Sequence, residues 1–139
     1  MTITAKEITF QTKGNYDVLD ITLQVSREVE KSGVSDGIVT LFICGSTAGI
    51  TTIEYEPGLV KDFGDMWDRV VPRDMPYEHN KVWGDGNGHS HVRASMLGAS
   101  LTIPVVNKKL TLGTWQQIIF VDFDNRPRSR KILLQFMGD

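Results

Sequence analysis

The chain has 139 residues, 40% of them apolar and 23% charged, with a formal charge of −2 at pH 7. That length supports one domain, since two would each be short of core. The charge balance excludes a global basic field of the kind that holds nucleic acid or an anionic membrane, and the longest apolar runs are strand-length, too short to span a bilayer.

In chain order, Ile3, Ala5, Ile8 and Phe10 alternate loosely and predict a half-buried strand over residues 3–12. Gly14-Asn15 breaks it. Met1 to Glu7 has no apolar signal core, so a cytoplasmic protein is expected. Asp17 is placed to cap a helix, and Val18, Ile21, Val25 and Val29 then recur at helical spacing, with Leu23 off the stripe. Lys31-Ser32-Gly33 supplies the stop, a cation in the last turn followed by glycine.

The apolar run from Ile38 to Cys44 predicts a buried central strand. The one cysteine, Cys44, reads as a small buried hydrophobe. Gly45-Ser46-Thr47-Ala48-Gly49 is a small, hydroxyl-bearing turn, and β-branched Ile50 to Tyr55 predicts another strand. From Pro57, the positions Leu59, Val60, Phe63, Met66, Trp67, Val70 and Val71 give the clearest amphipathic helix, stopped by Pro72. Residues 72–88 show no period and read as a long loop, of a length that is usually functional or mobile. His91 to Gly98 fits a short helix.

Ser100 to Val106 predicts a strand whose Pro104 argues for an edge or a bulge. Asn107-Lys108-Lys109 turns the chain. Thr114 to Phe123 predicts a long strand with Trp115 in the core, and Arg130 to Met137 a last strand hairpin-paired with it. Arg126, Arg128, Arg130 and Lys131 read as a solvated turn. The sum is α+β: a single domain over residues 1–139, with a large mixed, mostly antiparallel sheet and helices packed on it.

All three histidines, His79, His89 and His91, lie between Pro76 and Gln116. With Glu54 they supply the ligand types of an open Zn²⁺ site, in which a bound water becomes a nucleophile. An extended segment aims His89 and His91 to one side; a helix separates them by about 200° and leaves only one in a site. The plainer alternative is chance clustering on a solvated loop. Gly84-Asp85-Gly86-Asn87-Gly88 lacks the pattern of a calcium or dinucleotide loop and reads as a turn demanding φ > 0. The Ser46/Thr47 turn can present amides and hydroxyls to an anion, but has no P-loop lysine. Gln116, a polar side chain beside a strand, needs partners.

The segments Ser46-Thr47-Ala48-Gly49-Ile50-Thr51 with Glu54, Tyr77-Glu78-His79, Ser90-His91-Val92-Arg93-Ala94-Ser95-Met96-Leu97-Gly98 and Gly113-Thr114-Trp115-Gln116 together resemble the YjbQ-like family, often labelled secondary thiamine-phosphate synthase. The resemblance covers nearly the whole chain. It differs at Gly45, where many members have a histidine, and at Lys108, where the family pattern has a glycine; His89 stands as a candidate to offset the first.

What the resemblance implies is a homotrimer acting on a phosphorylated small molecule, with weak joining of a pyrimidine pyrophosphate to a thiazole phosphate. It implies a site near the Gly-Thr-Trp-Gln turn built from Glu54, His79, His91 and Arg93. The full expectation has Glu54, His91 and Arg93 in catalysis. Ser46, Thr47, Ser95, Thr114 and Gln116 contact substrate, and His79, His89 and His91 hold Zn²⁺ or another divalent metal. Nucleic acid and membrane are not expected partners. Two alternatives stay open: a metal-dependent hydrolase on the same residues, and a non-catalytic trimeric binding protein whose histidines bridge subunits.

Overall fold

A computed structural model describes residues 1–139. Strand β1 (Thr2–Thr12) forms where the sequence predicts one, but of its apolar positions only Ile8 and Phe10 pack on the core while Ile3 and Ala5 are exposed; it pairs along its whole length with the last strand, β8 (Arg128–Gly138). The predicted helix starts later than Asp17. Asp17–Asp20 forms a short strand, β2, and helix α1 spans Thr22–Ser32. Asp17 is occupied elsewhere: its carboxylate accepts from Lys13 N at 2.8 Å and closes a turn with positive φ at Gly14, Asn15 and Tyr16. Asp20 holds the helix entry instead, accepting from Thr22 N at 3.0 Å and Thr22 Oγ1 at 2.6 Å. The C-terminal stop is as predicted, with Gly33 left-handed at φ 78°.

Next come β3 (Gly37–Ile43), β4 (Ala48–Ile53) and helix α2 (Pro57–Val70). The Glu56 carboxylate caps α2, accepting from Gly58 N and Leu59 N at 2.8 Å each. Residues 72–88 are not one loop. They contain α3 (Glu78–Trp83), a six-residue helix with no buried side chain, and so with no apolar stripe to reveal it in the sequence. Helix α4 (Gly88–Leu97) begins before His91 and ends at Gly98, and β5 (Ser100–Val106), β6 (Lys109–Leu110) and β7 (Gln117–Asp122) complete the chain before β8. β6 pairs only with Val105 and Val106, which leaves Pro104 on an open edge where no ladder donor is needed.

The strands form two sheets, ordered β1-β8-β3-β5-β6 and β2-β7-β4, and every pairing is antiparallel. The predicted β7–β8 hairpin does not form: the chain crosses from the small sheet to the large one at residues 123–127. The larger core lies between the sheets, with Val39, Leu41, Ile132, Leu134 and Phe136 facing Ile50, Ile118 and Phe120, and Val25 and Val29 of α1 against it. On the other face of β7, Ile119 and Val121, with Phe123 just beyond the strand, pack on Trp67 from α2, on Val71 that follows it, and on Ala94 from α4. A strand buried on both faces shows an unbroken apolar run, and this is why β7 reads so strongly in sequence.

Two side chains depart from expectation. The core tryptophan is Trp67, at 3% exposed; Trp115 is 73% exposed. Gly113 to Gln116 close a turn, with Gln116 N donating to Gly113 O at 3.0 Å, so the strand starts only at Gln117 and Trp115 stands outside the sheet. Cys44 is exposed rather than buried, because β3 ends at Ile43 and the next residue leaves the core face. The α+β class and the predominance of antiparallel pairing hold. No helix is long and apolar enough to cross a membrane.

Candidate functional site

Helices α3 and α4 bring two of the three histidines together. His79 lies in the first turn of α3 and His91 in α4, with ring centroids 4.4 Å apart and planes at 45°. Asn80 links the helices, its Oδ1 accepting from Gly88 N at 2.8 Å. His79 Nδ1 is 3.4 Å from Asp85 Oδ1 but makes no hydrogen bond.

His89 does not join them. Because residues 88–97 are helical, it points about 200° away from His91 and into the protein. It is 3% exposed, with Nδ1 unpartnered and Nε2 3.3 Å from Ser90 Oγ. Burial pushes its pKa down to about 4, the charges of Arg93 and Arg73 adding to the effect, so at neutral pH it is an uncharged internal ring. The expected trio of metal ligands is therefore not assembled. No three His, Cys, Asp or Glu side chains converge to share a metal ion. Within one chain the donor set does not fit a closed Zn²⁺ site, and only His79, His91 and the nearby Asp85 approach one.

His91 borders a groove of about 310 Å³ whose ten lining residues include no hydrophobic one. Ser46 and Thr47 line it from the β3–β4 turn, Asp85 from the α3–α4 connection, and Arg128 and Arg130 from the start of β8. A second recess of about 230 Å³ shares Gly45, Ser46 and His91 and runs along α4 past Ser95. Ser95 Oγ donates to His91 O at 2.8 Å, so its hydroxyl proton is held by the helix.

Behind the groove lies an ionic lock at the sheet-to-sheet crossing. Arg130 donates from Nε to Asp122 Oδ2 at 2.7 Å, and from Nη2 to Asp122 Oδ1 at 2.8 Å and Thr47 Oγ1 at 2.7 Å. Thr12 Oγ1 donates to Asp122 Oδ2 at 2.6 Å. Asp124 accepts from Thr47 Oγ1, Asn87 Nδ2 and Arg128 Nε at 2.9, 3.2 and 2.9 Å. Burial acts to raise the Asp124 pKa, but the hydrogen bonds from Asn87, Thr47 and Arg128 outweigh it and hold the carboxyl below the usual range. Thr47 is thus spent on the lock, whereas the Ser46 hydroxyl makes no bond within the chain.

The cluster Arg126–Lys131 is not merely a solvated turn: Arg130 has a side chain only 10% exposed. Asp122, Asp124, Asn87, Arg128 and Arg130 were absent from the sequence-based set. A signal existed, since Asp122 and Asp124 share one side of an extended chain, as do Arg128 and Arg130 a few residues on. Missing was the knowledge that the chain folds back at residues 123–127.

The remaining expected residues sit elsewhere. Arg93 is 5% exposed and ties α4 to α2, its Nε donating to Val71 O at 3.0 Å and its Nη2 to Asp68 Oδ1 at 3.2 Å. It lines neither recess beside His91. Glu54 is exposed and shares a separate recess of about 380 Å³ with Thr114 and Trp115. Gln116 finds its partners in its own turn and on β4: Oε1 accepts from Gly113 N at 2.9 Å and Nε2 donates to Thr52 Oγ1 at 3.0 Å. Within one chain the expected residues are therefore dispersed: His79 and His91 meet, Ser46, Thr47 and Ser95 border the recesses beside His91, Glu54 and Thr114 share another recess, and His89, Arg93 and Gln116 line none of them.

Comparison with known proteins gives a consistent family picture. A family model described as UPF0047 protein YjbQ-like matches residues 6–139. A UPF0047 protein of Methanothermobacter thermautotrophicus is 39% identical over 99% of this chain and 94% of its own. YugU of Bacillus subtilis, also a UPF0047 protein, is 33% identical over 96% of this chain and 98% of its own. A crystal structure of a YbjQ-like protein of unknown function from Sulfolobus solfataricus superposes with a TM-score of 0.94 at 35% identity, covering 99% of both chains. One from Clostridium acetobutylicum gives 0.87 at 38% identity, covering 95% of this chain and 99% of that one. Sequence and fold thus match along nearly the whole length, and the chain belongs to the YjbQ-like UPF0047 family.

Proposed function

We propose that this chain acts on phosphorylated small molecules in the groove beside His91, by transfer or condensation chemistry. The observation that carries the reading is His91, which borders a groove with no hydrophobic lining and has the ring of His79 behind it at 4.4 Å between centroids. His91, partly exposed, moves a proton on or off the reacting group, and His79 adjusts it from alongside. Ser46, with its hydroxyl unspent, is the substrate contact on the facing turn; Thr47 positions that turn. The resemblance supplies the specific reaction, displacement of pyrophosphate from a pyrimidine pyrophosphate by a thiazole phosphate. Departing pyrophosphate needs hydrogen-bond donors or cations aimed at it.

A homotrimer belongs to this proposal. Glu54 and Thr114 lie apart from His91 within one chain, beside exposed Trp115 and Tyr55 at 73% and 45%. Assembly that covers these side chains brings the Glu54 group of one copy to the His91 groove of the next. Mass measurement in solution, with Trp115→Lys as the variant expected to dissociate the assembly, tests this part. A monomeric parent protein rejects it.

The catalytic part is tested by pyrophosphate release from the two substrates, with His91→Ala beside the parent. Loss of turnover at unchanged fold supports the reading, and equal turnover rejects it. A second reading, metal-dependent ester hydrolysis, is favoured by the approach of Asp85 to His79 next to His91. It predicts chelator-sensitive hydrolysis of phosphate esters, restored by Zn²⁺, and its absence dismisses that reading.

A further inference from the structure

Two guanidinium groups border the groove with N–H donors to spare. Arg130 spends Nε and Nη2 on Asp122 and Thr47, and its Nη1 donates to nothing in the chain. Arg128 spends only Nε, on Asp124, and both of its Nη atoms remain open. The supporting carboxylates are buried, with side chains of Asp122 and Asp124 at 0% and 1% exposed. Asp122 thus holds Arg130 from the rear; Asp124 borders the groove with the two arginines, but its carboxylate is taken up by Thr47, Asn87 and Arg128.

Gly45 keeps the approach open. A Cβ built there would stand 3.0 Å from Arg130 Nη1, so any larger residue presses on that nitrogen. Its neighbour Ser46 offers a free hydroxyl on the same wall. A guanidinium braced in this way has lost its side-chain freedom during folding, and binding an anion costs it little more. Planar forks with several unspent donors suit an oxyanion, to which they give charge-assisted bonds. Asp85 is the other acidic residue lining the groove. It is turned to His79 and to Asn87 N, from which its Oδ1 accepts at 3.1 Å.

The geometry points to Arg128 and Arg130 as an oxyanion clamp that takes the terminal phosphate of a small molecule in the groove between β8 and the β3–β4 turn. The inference deepens the functional proposal by assigning the phosphate end of its substrate. It rests on that reading for the use of the groove, and not for any turnover.

The test is calorimetric titration of the full chain with inorganic phosphate at constant ionic strength, with acetate as the planar-anion control. The parent protein binds phosphate saturably and at least tenfold more tightly than acetate. Arg128→Gln keeps the buried Arg130–Asp122 pair and leaves Asp124 its bonds from Thr47 and Asn87, and an unfolding midpoint taken on the same sample shows that it is folded; it weakens phosphate binding about tenfold, the effect of losing a charge-assisted contact. Gly45→Ala, which leaves both arginines in place but crowds Nη1, weakens it as well. Tighter binding of glycerol phosphate than of inorganic phosphate marks an ester as the natural ligand, and equal binding marks the free anion; either supports the clamp. Phosphate affinity unchanged in either variant, or no better than acetate, overturns it. Phosphate binding that depends on Arg128, with no pyrophosphate release, leaves the clamp standing and removes the catalytic reading.

Discussion

Arg130→Met is the sharpest stability test of the ionic lock. The substitution keeps most of the side-chain volume and removes three hydrogen bonds, two of them to Asp122, whose side chain is 0% exposed. Asp122 then stays buried with Thr12 Oγ1 and Asp124 N as its remaining donors. Breaking a buried pair from one side typically costs about 3–5 kcal/mol. The two surviving donors place the expected loss near the lower end, about 3 kcal/mol. In urea denaturation, with a slope of roughly 1–3 kcal/mol per molar, the midpoint falls by on the order of 1–3 M. The double variant Asp122→Leu/Arg130→Met removes the stranded carboxyl too, and regains a measurable part of the loss. A single-variant loss below about 1 kcal/mol refutes the reasoning, because that is the size expected of an exposed surface pair.

Three further outcomes follow from the geometry. His89 has its folded-state pKa depressed from 6.5 to about 4, so the unfolded chain takes up the proton first as pH falls. Its contribution is whole above pH 6.5 and is lost on the way down to about 4, by roughly 3 kcal/mol at most; chemical denaturation of His89→Gln across that window shows a flatter profile, and an unchanged slope rejects this origin. Trp67→Ala costs about 3–5 kcal/mol in denaturant whereas Trp115→Ala costs the monomer under about 0.5, and equal costs contradict the placement of the two rings. Lys108 sits at φ 62° in a two-residue hairpin turn, so Lys108→Gly stabilises by about 0.5–1 kcal/mol, read as a higher unfolding midpoint; a lower midpoint contradicts the strain argument.

Much of the fold was legible because burial writes a period into sequence. The helix over Pro57–Val70 followed from its apolar spacing, and β7 from its unbroken Ile118 to Val121 run. The short elements were not. β2 has four residues and α3 six, too few to establish a period, and α3 buries nothing. The partner of β8 was misread because adjacent strands usually pair, yet here Asp122 to Arg128 carries the chain between sheets. At the site, the helical context of residues 88–97 decided which histidine counts, and separated His89 from His91. Arg93 looked like a ligand-facing charge but serves as a tie to Val71 O. Arg130 looked like surface charge, but contact with Asp122 across the fold gives it a buried role that local sequence does not display.

The central claim is that the His91 groove carries chemistry on phosphorylated substrates. The most direct measurement is pyrophosphate release from a pyrimidine pyrophosphate and a thiazole phosphate, for the parent and for His91→Ala, with unfolding midpoint and assembly mass recorded on the same samples. The account predicts turnover by the parent and a loss of at least a hundredfold in the variant, the range of a removed acid–base group, at unchanged midpoint and mass. Equal turnover in His91→Ala, or none in a correctly assembled parent protein, contradicts it.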